Sequence, residues 1–228
     1  MHLIGKYKET DNMCDLICEN YSMLLVMSRF GIALGFGDQT IGEVCSNNKV
    51  DVKTFLAVVN LLVDEDEQVE TDTSLSVVSL VTYLKKSHLY FLDFRLPVIR
   101  TKLIQAIDGE HHDVAQVITR YFDEYADEVR RHMSYEDEIV FPYVAGLLKG
   151  EKQEYTIDMF SKQHDQVESR LSELKDIIIK YYPGTSSHEL NSVLFDIFSC
   201  AKDLAYHNAV EDKIFVPVIH ELEKQKPS

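Results

Sequence analysis

Several common features are scarce in this chain, and each absence excludes a class of partner. Its 228 residues contain 23 Lys and Arg against 38 Asp and Glu, so the formal net charge is −15. That charge argues against nucleic acid and against an anionic membrane surface as partners. No apolar run approaches the roughly 20 residues that a transmembrane helix needs. The N-terminus also lacks the apolar region of a signal peptide.

Cysteine is also scarce, and its spacing is informative. The four cysteines are Cys14, Cys18, Cys45 and Cys200, and no two of them form a C-x-x-C pair. We therefore predict a cytoplasmic protein with reduced thiols. No Ser-His-Asp or Cys-His nucleophile arrangement is recognisable, no segment favours β-structure, and no low-complexity tract occurs. The chain instead offers helical patterns that carry histidines and acidic residues.

The N-terminal part of the chain predicts a small helical domain over residues 1–63. A helix rich in Met, Leu and Val is expected over residues 11–30, and Gly31 is its stop signal. Thr40-Ile-Gly-Glu43 is typical of a capping box, which opens a short helix. These helices together are too few to form a large core, so the domain is predicted to be marginal by itself.

The next signals separate this unit from a larger domain. Asp51 is a favourable N-cap for a helix over Val52–Val63, and the acidic, non-periodic residues 64–74 are interpreted as a linker. Residues 75–228 form the second predicted domain. Its four long helical patterns cover residues 75–107, 112–149, 151–181 and 186–223. Because the connections are short, we expect an all-α, antiparallel up-down-up-down four-helix bundle.

A repeated segment is the most informative feature of this second domain. Segments 132–142 and 207–217 both read H-x-x-x-E-D-x-I-x-x-P. Each copy follows a lone histidine, His88 at 44 residues upstream in the first case and His164 at 43 residues in the second. Residues four apart lie on one face of a helix, so each His and Glu can point together into the bundle. Self-similarity of this kind usually reports repeated structure.

Two such sets supply the donors of a two-metal site. Imidazole suits iron, and carboxylates can bridge and neutralise two cations. Three ligands in each half leave room for a bridging oxide and an open position. The predicted ligands are His88, His132, Glu136, His164, His207 and Glu211. The alternative is that these six are ordinary polar residues of a metal-free helical interaction protein.

Three other features of the pattern are weaker. Glu168 completes a third His-x-x-x-Glu match, but its counterpart in the first half is a leucine, so we do not expect it to be a ligand. Glu128 and Asp203 each precede a repeat histidine by one turn, and they either orient an imidazole or are solvated surface acids. Pro142 and Pro217 lie inside helical patterns, where a proline either kinks the helix or ends it early.

The combination of two lone histidines with two H-x-x-x-E pairs resembles the hemerythrin-like di-iron proteins, in particular the repair-of-iron-centres family. Residues 75–223 are similar to the hemerythrin-like domain, and residues 11–63 resemble the small N-terminal domain of that family. The resemblance implies that the six predicted ligands hold two non-haem iron ions, which are oxo- and carboxylate-bridged. It also implies that the histidines are terminal ligands and that Glu136 and Glu211 bridge the ions.

One departure from the family concerns cysteine. The family typically carries an adjacent Cys-Cys pair before Gly-Gly, whereas the corresponding segment here, residues 30–38, contains no cysteine. Cys14 and Cys18 share a helical face, and we interpret them as buried small hydrophobes rather than as a replacement pair.

The resemblance implies a role in nitrosative or oxidative stress. The chain would bind or reduce nitric oxide, support repair of iron–sulfur clusters, or both. Its partners would be a small diatomic molecule, nitric oxide or oxygen, and iron–sulfur proteins. The alternative is a non-catalytic module that binds or senses oxygen, nitric oxide or iron, so whether the chain is a nitric oxide reductase-like oxidoreductase stays open. The sequence does not indicate an oligomeric state.

Overall fold

This computed structural model describes residues 6–64, 74–107, 112–152, 154–161, 167–184 and 187–225. In these ranges the regular elements are all helical, which confirms the predicted all-α class. A lone antiparallel bridge joins Asn12 to Thr40. None of the helices in these ranges is both long and apolar enough to cross a lipid bilayer.

Four short helices occupy the N-terminal part of the chain: α1 (Met13–Glu19), α2 (Met23–Phe30), α3 (Ile41–Asn47) and α4 (Val52–Val63). The capping box of Thr40 and Glu43 and the Asp51 cap are both confirmed. Gly31 ends α2 with a φ of 81° and donates its N–H to carbonyls of the last turn. The single helix predicted over residues 11–30 is wrong, because Asn20 leaves the helical conformation with a φ of −136°.

Three long helices are each built from two α-helical segments: α5 (Val77–Leu89) with α6 (Leu96–Ile107), α7 (His112–Tyr135) with α8 (Phe141–Lys149), and α11 (His188–Val210) with α12 (Val216–Gln225). Between the second and third of these lie α9 (Ile157–Ser161) and α10 (Val167–Tyr181), and residues 162–166 are outside the described ranges. These bounds agree with three of the four predicted helices. The third was predicted to start at residue 151, but Gly150 has a φ of 79° and the helix begins only at Ile157.

Within the described residues, three π-helical turns occur, in which hydrogen bonds reach five residues back instead of four. The turns are Tyr90–Arg95, Glu136–Val140 and Glu211–Phe215. After the second turn, for example, Phe141 donates its N–H to the carbonyl of Glu136. In each of these helices a proline lies two positions after the last residue of the turn, namely Pro97, Pro142 and Pro217. Because proline has no N–H, the helix changes register at the position where a donor is missing. Neither repeated proline ends its helix.

The chain divides into two compact units, and the first consists of Met1–Ser87, Gly146–Asp158 and Tyr206–Ser228. It contains α1–α4, and its core includes the fully buried Met13, Leu16 and Phe55. Phe30 of α2 packs against Phe55 of α4 and Tyr83 of α5, with ring centroids 5.3 and 5.1 Å apart. Burial of such large apolar side chains is the main source of stability in a unit of this size.

The second unit consists of His88–Ala145 and Met159–Ala205. Buried apolar side chains of α6, α7, α10 and α11 form its core, among them Ile99, Phe122, Leu174 and Ile197. Arg95 is largely buried beside this core and bonds to the Asp196 carboxylate at 3.1 Å. The predicted domain bounds, residues 1–63 and 75–228 with a linker at 64–74, stay a prediction, and most of that linker lies outside the described residues.

Candidate metal centre

The side chain of His88 is held by contacts with three residues. His88 is the penultimate residue of α5, and its side chain is 2% exposed. Its Nε2 lies 2.9 Å from Oε2 of Glu136, and its Nδ1 lies 3.2 Å from Oδ2 of Asp137. The imidazole also stacks on Phe141, with ring centroids 5.5 Å apart and an interplanar angle of 21°. Both ring nitrogens are thus directed by carboxylates, a pattern that sets the orientation of metal-binding histidines.

Glu136 joins His88 to His132. The carboxylate is fully buried at the first residue of a π turn, and its Oε1 lies 2.8 Å from Nε2 of His132, one turn earlier on α7. The predicted His-x-x-x-Glu arrangement is therefore present on one helix face. The side chain of His132 is 11% exposed, so it is nearer to solvent than Glu136.

The ionisation of these groups follows from their contacts. Burial opposes a charged imidazolium at His88, but hydrogen bonds with Asp137 and Glu136 outweigh burial and raise the pKa of His88. Burial also favours a neutral Glu136, yet the hydrogen bonds from His132 and His88 hold the pKa of that carboxyl well below its usual range. Glu136 is therefore an anion in a dry environment, which is the state in which a carboxylate binds a cation.

The second repeat copy has the same local geometry. Nε2 of His207, near the end of α11, lies 3.2 Å from Oε1 of Glu211. Glu211 is again the first residue of a π turn. Both side chains are fully buried. The copy therefore presents one imidazole and one carboxylate with no direct exposure to solvent.

Four of the six predicted ligands are buried: His88 and Glu136 in the second unit, and His207 and Glu211 in the first. Each pair offers one imidazole and one carboxylate, and such donors fit a first-row transition metal such as iron. Burial of this many ionisable groups is costly unless they are paired or coordinate metals. The residues present therefore fit a metal centre, and their assignment as ligands stays a prediction.

The other two predicted ligands are His132 and His164. His132 contacts Glu136, as described above. His164 lies outside the described residues, and so does the side chain of Glu168.

Two other acidic residues near the repeats were candidates for orienting an imidazole. Glu128 is ion-paired with Nη1 of Arg170 at 3.0 Å, and its side chain is 26% exposed. It therefore acts in a surface ion pair. Asp203 is 6% exposed, so the alternative that it is a solvated surface acid is wrong.

Sequence reasoning assigned no role to Asp137 or Phe141, although both contact His88. Asp137 had a signal, since Asp follows Glu in both repeat copies. Phe141 had none, because position 216 of the second copy is valine. Cys14 and Cys18 were interpreted as buried, but both are exposed, so that interpretation is wrong.

Comparison with known proteins agrees with this geometry. The family model described as hemerythrin HHE cation binding domain matches residues 79–219. Among curated proteins, the iron-sulfur cluster repair protein ScdA of Staphylococcus haemolyticus (strain JCSC1435) is 24% identical over 131 residues. The match covers 57% of this chain and 59% of that protein, so the chain spans about three-fifths of its relative's length. The chain belongs to the hemerythrin HHE cation-binding family, and its similarity to a cluster repair protein supports membership of the repair-of-iron-centres branch.

Proposed function

We propose that this chain is a non-haem di-iron protein of the nitrosative and oxidative stress response. It binds or reduces nitric oxide, supports the repair of iron–sulfur clusters, or both. The observation that carries the proposal is the burial of two histidine–glutamate pairs, His88 with Glu136 at 2.9 Å and His207 with Glu211 at 3.2 Å. The similarity to a protein named for iron–sulfur cluster repair supports the choice of stress chemistry.

The buried carboxylates give the site its charge. Glu136 and Glu211 are both 0% exposed, and as metal ligands each would contribute one negative charge where water cannot screen it. A carboxylate can bridge two cations, so one side chain can neutralise part of the charge of both. In this proposal the two glutamates and the four predicted histidines would hold the irons, and the glutamates would supply the negative charge that neutralises them.

The surrounding residues fix geometry and limit access. Asp137 and Phe141 hold the His88 ring so that its Nε2 faces Glu136. Complete burial of His207 and Glu211 keeps bulk water away from that side. His132, with 11% of its side chain exposed, is the donor closest to solvent among those described. We place the approach of a small diatomic ligand on this side.

Two reduced irons at this site would supply two electrons and an open coordination position. Reduction of two nitric oxide molecules to one nitrous oxide and one water would consume those two electrons and two protons. The protein itself would contribute charge neutralisation, orientation of the imidazoles and exclusion of water. We further propose that the chain acts in the cytoplasm and that iron–sulfur proteins are its partners.

The test begins with iron content. The full chain is loaded with ferrous iron without oxygen, desalted and assayed for iron per chain, and its visible spectrum is recorded after oxidation. Two irons per chain are expected, whereas a Glu136→Ala/Glu211→Ala variant should retain almost none. Nitric oxide is then added to the reduced protein with an external electron donor. Nitrous oxide over many turnovers supports an enzyme, and reactivation of a damaged iron–sulfur protein supports repair. Failure to retain iron would overturn the proposal.

The alternative function is a non-catalytic module that binds or senses nitric oxide, oxygen or iron. One observation favours it: the family's adjacent cysteine pair is missing from residues 30–38. Stoichiometric retention of nitric oxide by the iron-loaded protein, without nitrous oxide, would select the module over the enzyme.

A further inference from the structure

Cys14 and Cys18 form an exposed pair on the outer face of α1. Their sulfur atoms lie 3.9 Å apart, and both residues are exposed. The opposite face of the helix is anchored, because Met13 and Leu16 are fully buried. The two thiols are thus presented to solvent together from a helix that cannot easily turn them inward.

Both ends of α1 are also held in place. The side chain of Asn12 accepts the N–H of Cys14 at the start, and its amide donates to the carbonyl of Asp38. At the other end, the Tyr7 hydroxyl donates to the Glu19 carboxylate. These contacts fix the backbone that carries the thiols, so their separation is a property of the fold.

A disulfide is a poor match to this arrangement. Residues four apart on a helix have Cβ atoms about 5–6 Å apart, whereas a disulfide needs a Cβ separation of about 3.5–4.5 Å. Closing the bond would therefore require α1 to unwind.

A metal ion is a better match. With a Zn–S bond of about 2.3 Å and a tetrahedral angle, two sulfur ligands lie about 3.8 Å apart. The observed separation is 3.9 Å, so a cation can bridge the thiols without movement of the backbone. Thiolates select soft or borderline cations such as zinc. Asp15 and Asp38 lie close enough to influence Cys14 electrostatically, and their negative charge favours a cation at this point.

We propose that Cys14 and Cys18 form a second metal site, which binds one thiophilic divalent cation of the zinc class. Binding forms two metal–sulfur bonds and releases two thiol protons, so no oxidant or reductant is needed. The two remaining tetrahedral positions would be open to water. This site contains sulfur donors, whereas the candidate iron centre contains only imidazole and carboxylate.

Cadmium is the probe, because it gives a thiolate-to-metal charge-transfer band in the ultraviolet. His and Glu ligands give no such band, so cadmium at the bundle centre is silent in this assay. Cys45 and Cys200 are buried to 0% and 1% exposure and should not contribute. The full chain should develop the band with one equivalent of cadmium and lose it when zinc is added in excess.

Three variants test the geometry. Cys14→Ser and Cys18→Ser each remove one sulfur from an exposed position and should abolish the one-equivalent band. The matched control is Cys18→Ser/Tyr21→Cys, which keeps two exposed thiols but loses their spacing, since Tyr21 is 81% exposed and lies beyond the end of α1. Without preorganised chelation the control should bind at least about tenfold more weakly.

Several outcomes would overturn the proposal. One is cadmium affinity in the Tyr21→Cys control equal to that of the natural chain. Another is absence of the band in the natural chain at one equivalent. A third is a band that appears only with formation of a dimer in sedimentation, which would place the metal between two chains. Iron content of the bundle should be the same in all variants. Failure of the proposed cysteine site can therefore be distinguished from failure of the proposed function.

Discussion

The two copies of the repeated segment share a backbone but differ in burial. In each, a histidine is followed four residues later by a glutamate at the first residue of a π turn, and a proline follows the turn. His132 of the first copy keeps 11% of its side chain exposed, whereas His207 of the second is fully buried. The comparison shows that the repeat determines which donors are presented, while the residues packed around each copy determine access to them.

The copies also differ in how tightly histidine and glutamate are paired. The Nε2–Oε1 distance is 2.8 Å for His132 and Glu136 but 3.2 Å for His207 and Glu211. Glu136 additionally contacts His88. If both glutamates bridge two cations, these differences should have little effect on metal binding but should affect the approach of a ligand from solvent. The following variants separate effects on metal binding from effects on ligand access.

Removal of either glutamate should have the largest effect. Glu136→Ala and Glu211→Ala each delete an anion that neutralises two cations, so each should lower the occupancy of both metal ions. The loss should exceed the 10–100-fold change in affinity that is typical of residues outside the ligand set. Metal per chain after dialysis is the measurement. Glu138→Ala, an exposed neighbour, is the matched control and should retain full occupancy. Equal occupancy in Glu211→Ala and the natural chain would show that the copies are not equivalent.

Removal of a terminal histidine should have a smaller and less symmetric effect. His132→Ala and His207→Ala should each weaken mainly one of the two ions. Added imidazole should restore metal content in His132→Ala, because the vacated position borders solvent, and should not restore it in His207→Ala, which is enclosed. Metal content titrated against imidazole concentration provides the measurement. Rescue of both variants would contradict the difference in access.

Substitution of the aspartate after each glutamate tests whether the two lone histidines are oriented in the same way. Asp137→Asn weakens the acceptor that orients His88 and should reduce metal affinity about 10–100-fold, as such changes typically do. Asp212→Asn should have a similar effect, because the repeat makes His164 the counterpart of His88. Glu138→Gln is the control for loss of a nearby charge. Competition with a metal chelator gives the affinities. A normal affinity in Asp212→Asn would mean that the lone histidines do not play equivalent parts.

Much of this arrangement follows from the sequence because its signals are local. The spacing of His132 and Glu136 places both on one face of a helix whatever the helix packs against. The Asp51 and Thr40 caps likewise depend on residues within one turn. The division of helix 11–30 was missed because Asn20 is tolerated in a helix and is also a common end point.

Other features depend on contacts that no local pattern contains. Asp137 meets His88 across 49 positions of sequence, and the relative register of two helices decides which atoms meet. The exposure of Cys14 and Cys18 has the same origin. Spacing places them on one face, but only packing shows that Met13 and Leu16 on the other face are buried. The π turns were not predicted from the sequence. A single turn with one extra residue changes the spacing of apolar residues too little to be recognised in the sequence.

The prolines after the π turns should give the smallest effect and the closest test of the shared backbone. Pro142→Ala or Pro217→Ala restores an N–H donor, which allows the ordinary four-residue hydrogen bond and removes the reason for the register change. If the π turn relaxes, the glutamate at its start rotates relative to the partners that it contacts. We expect metal affinity to fall a few-fold, by about 1 kcal/mol, in both variants, with stability changed by no more than about 1 kcal/mol since removal of a proline mainly alters the unfolded chain. Pro97→Ala is the control, because the turn Tyr90–Arg95 begins two residues after His88 and contains none of the predicted ligands. Equal effects in Pro142→Ala and Pro217→Ala would show that the π turn positions the glutamate in both copies. A difference between the two variants would show that it does so in one copy alone.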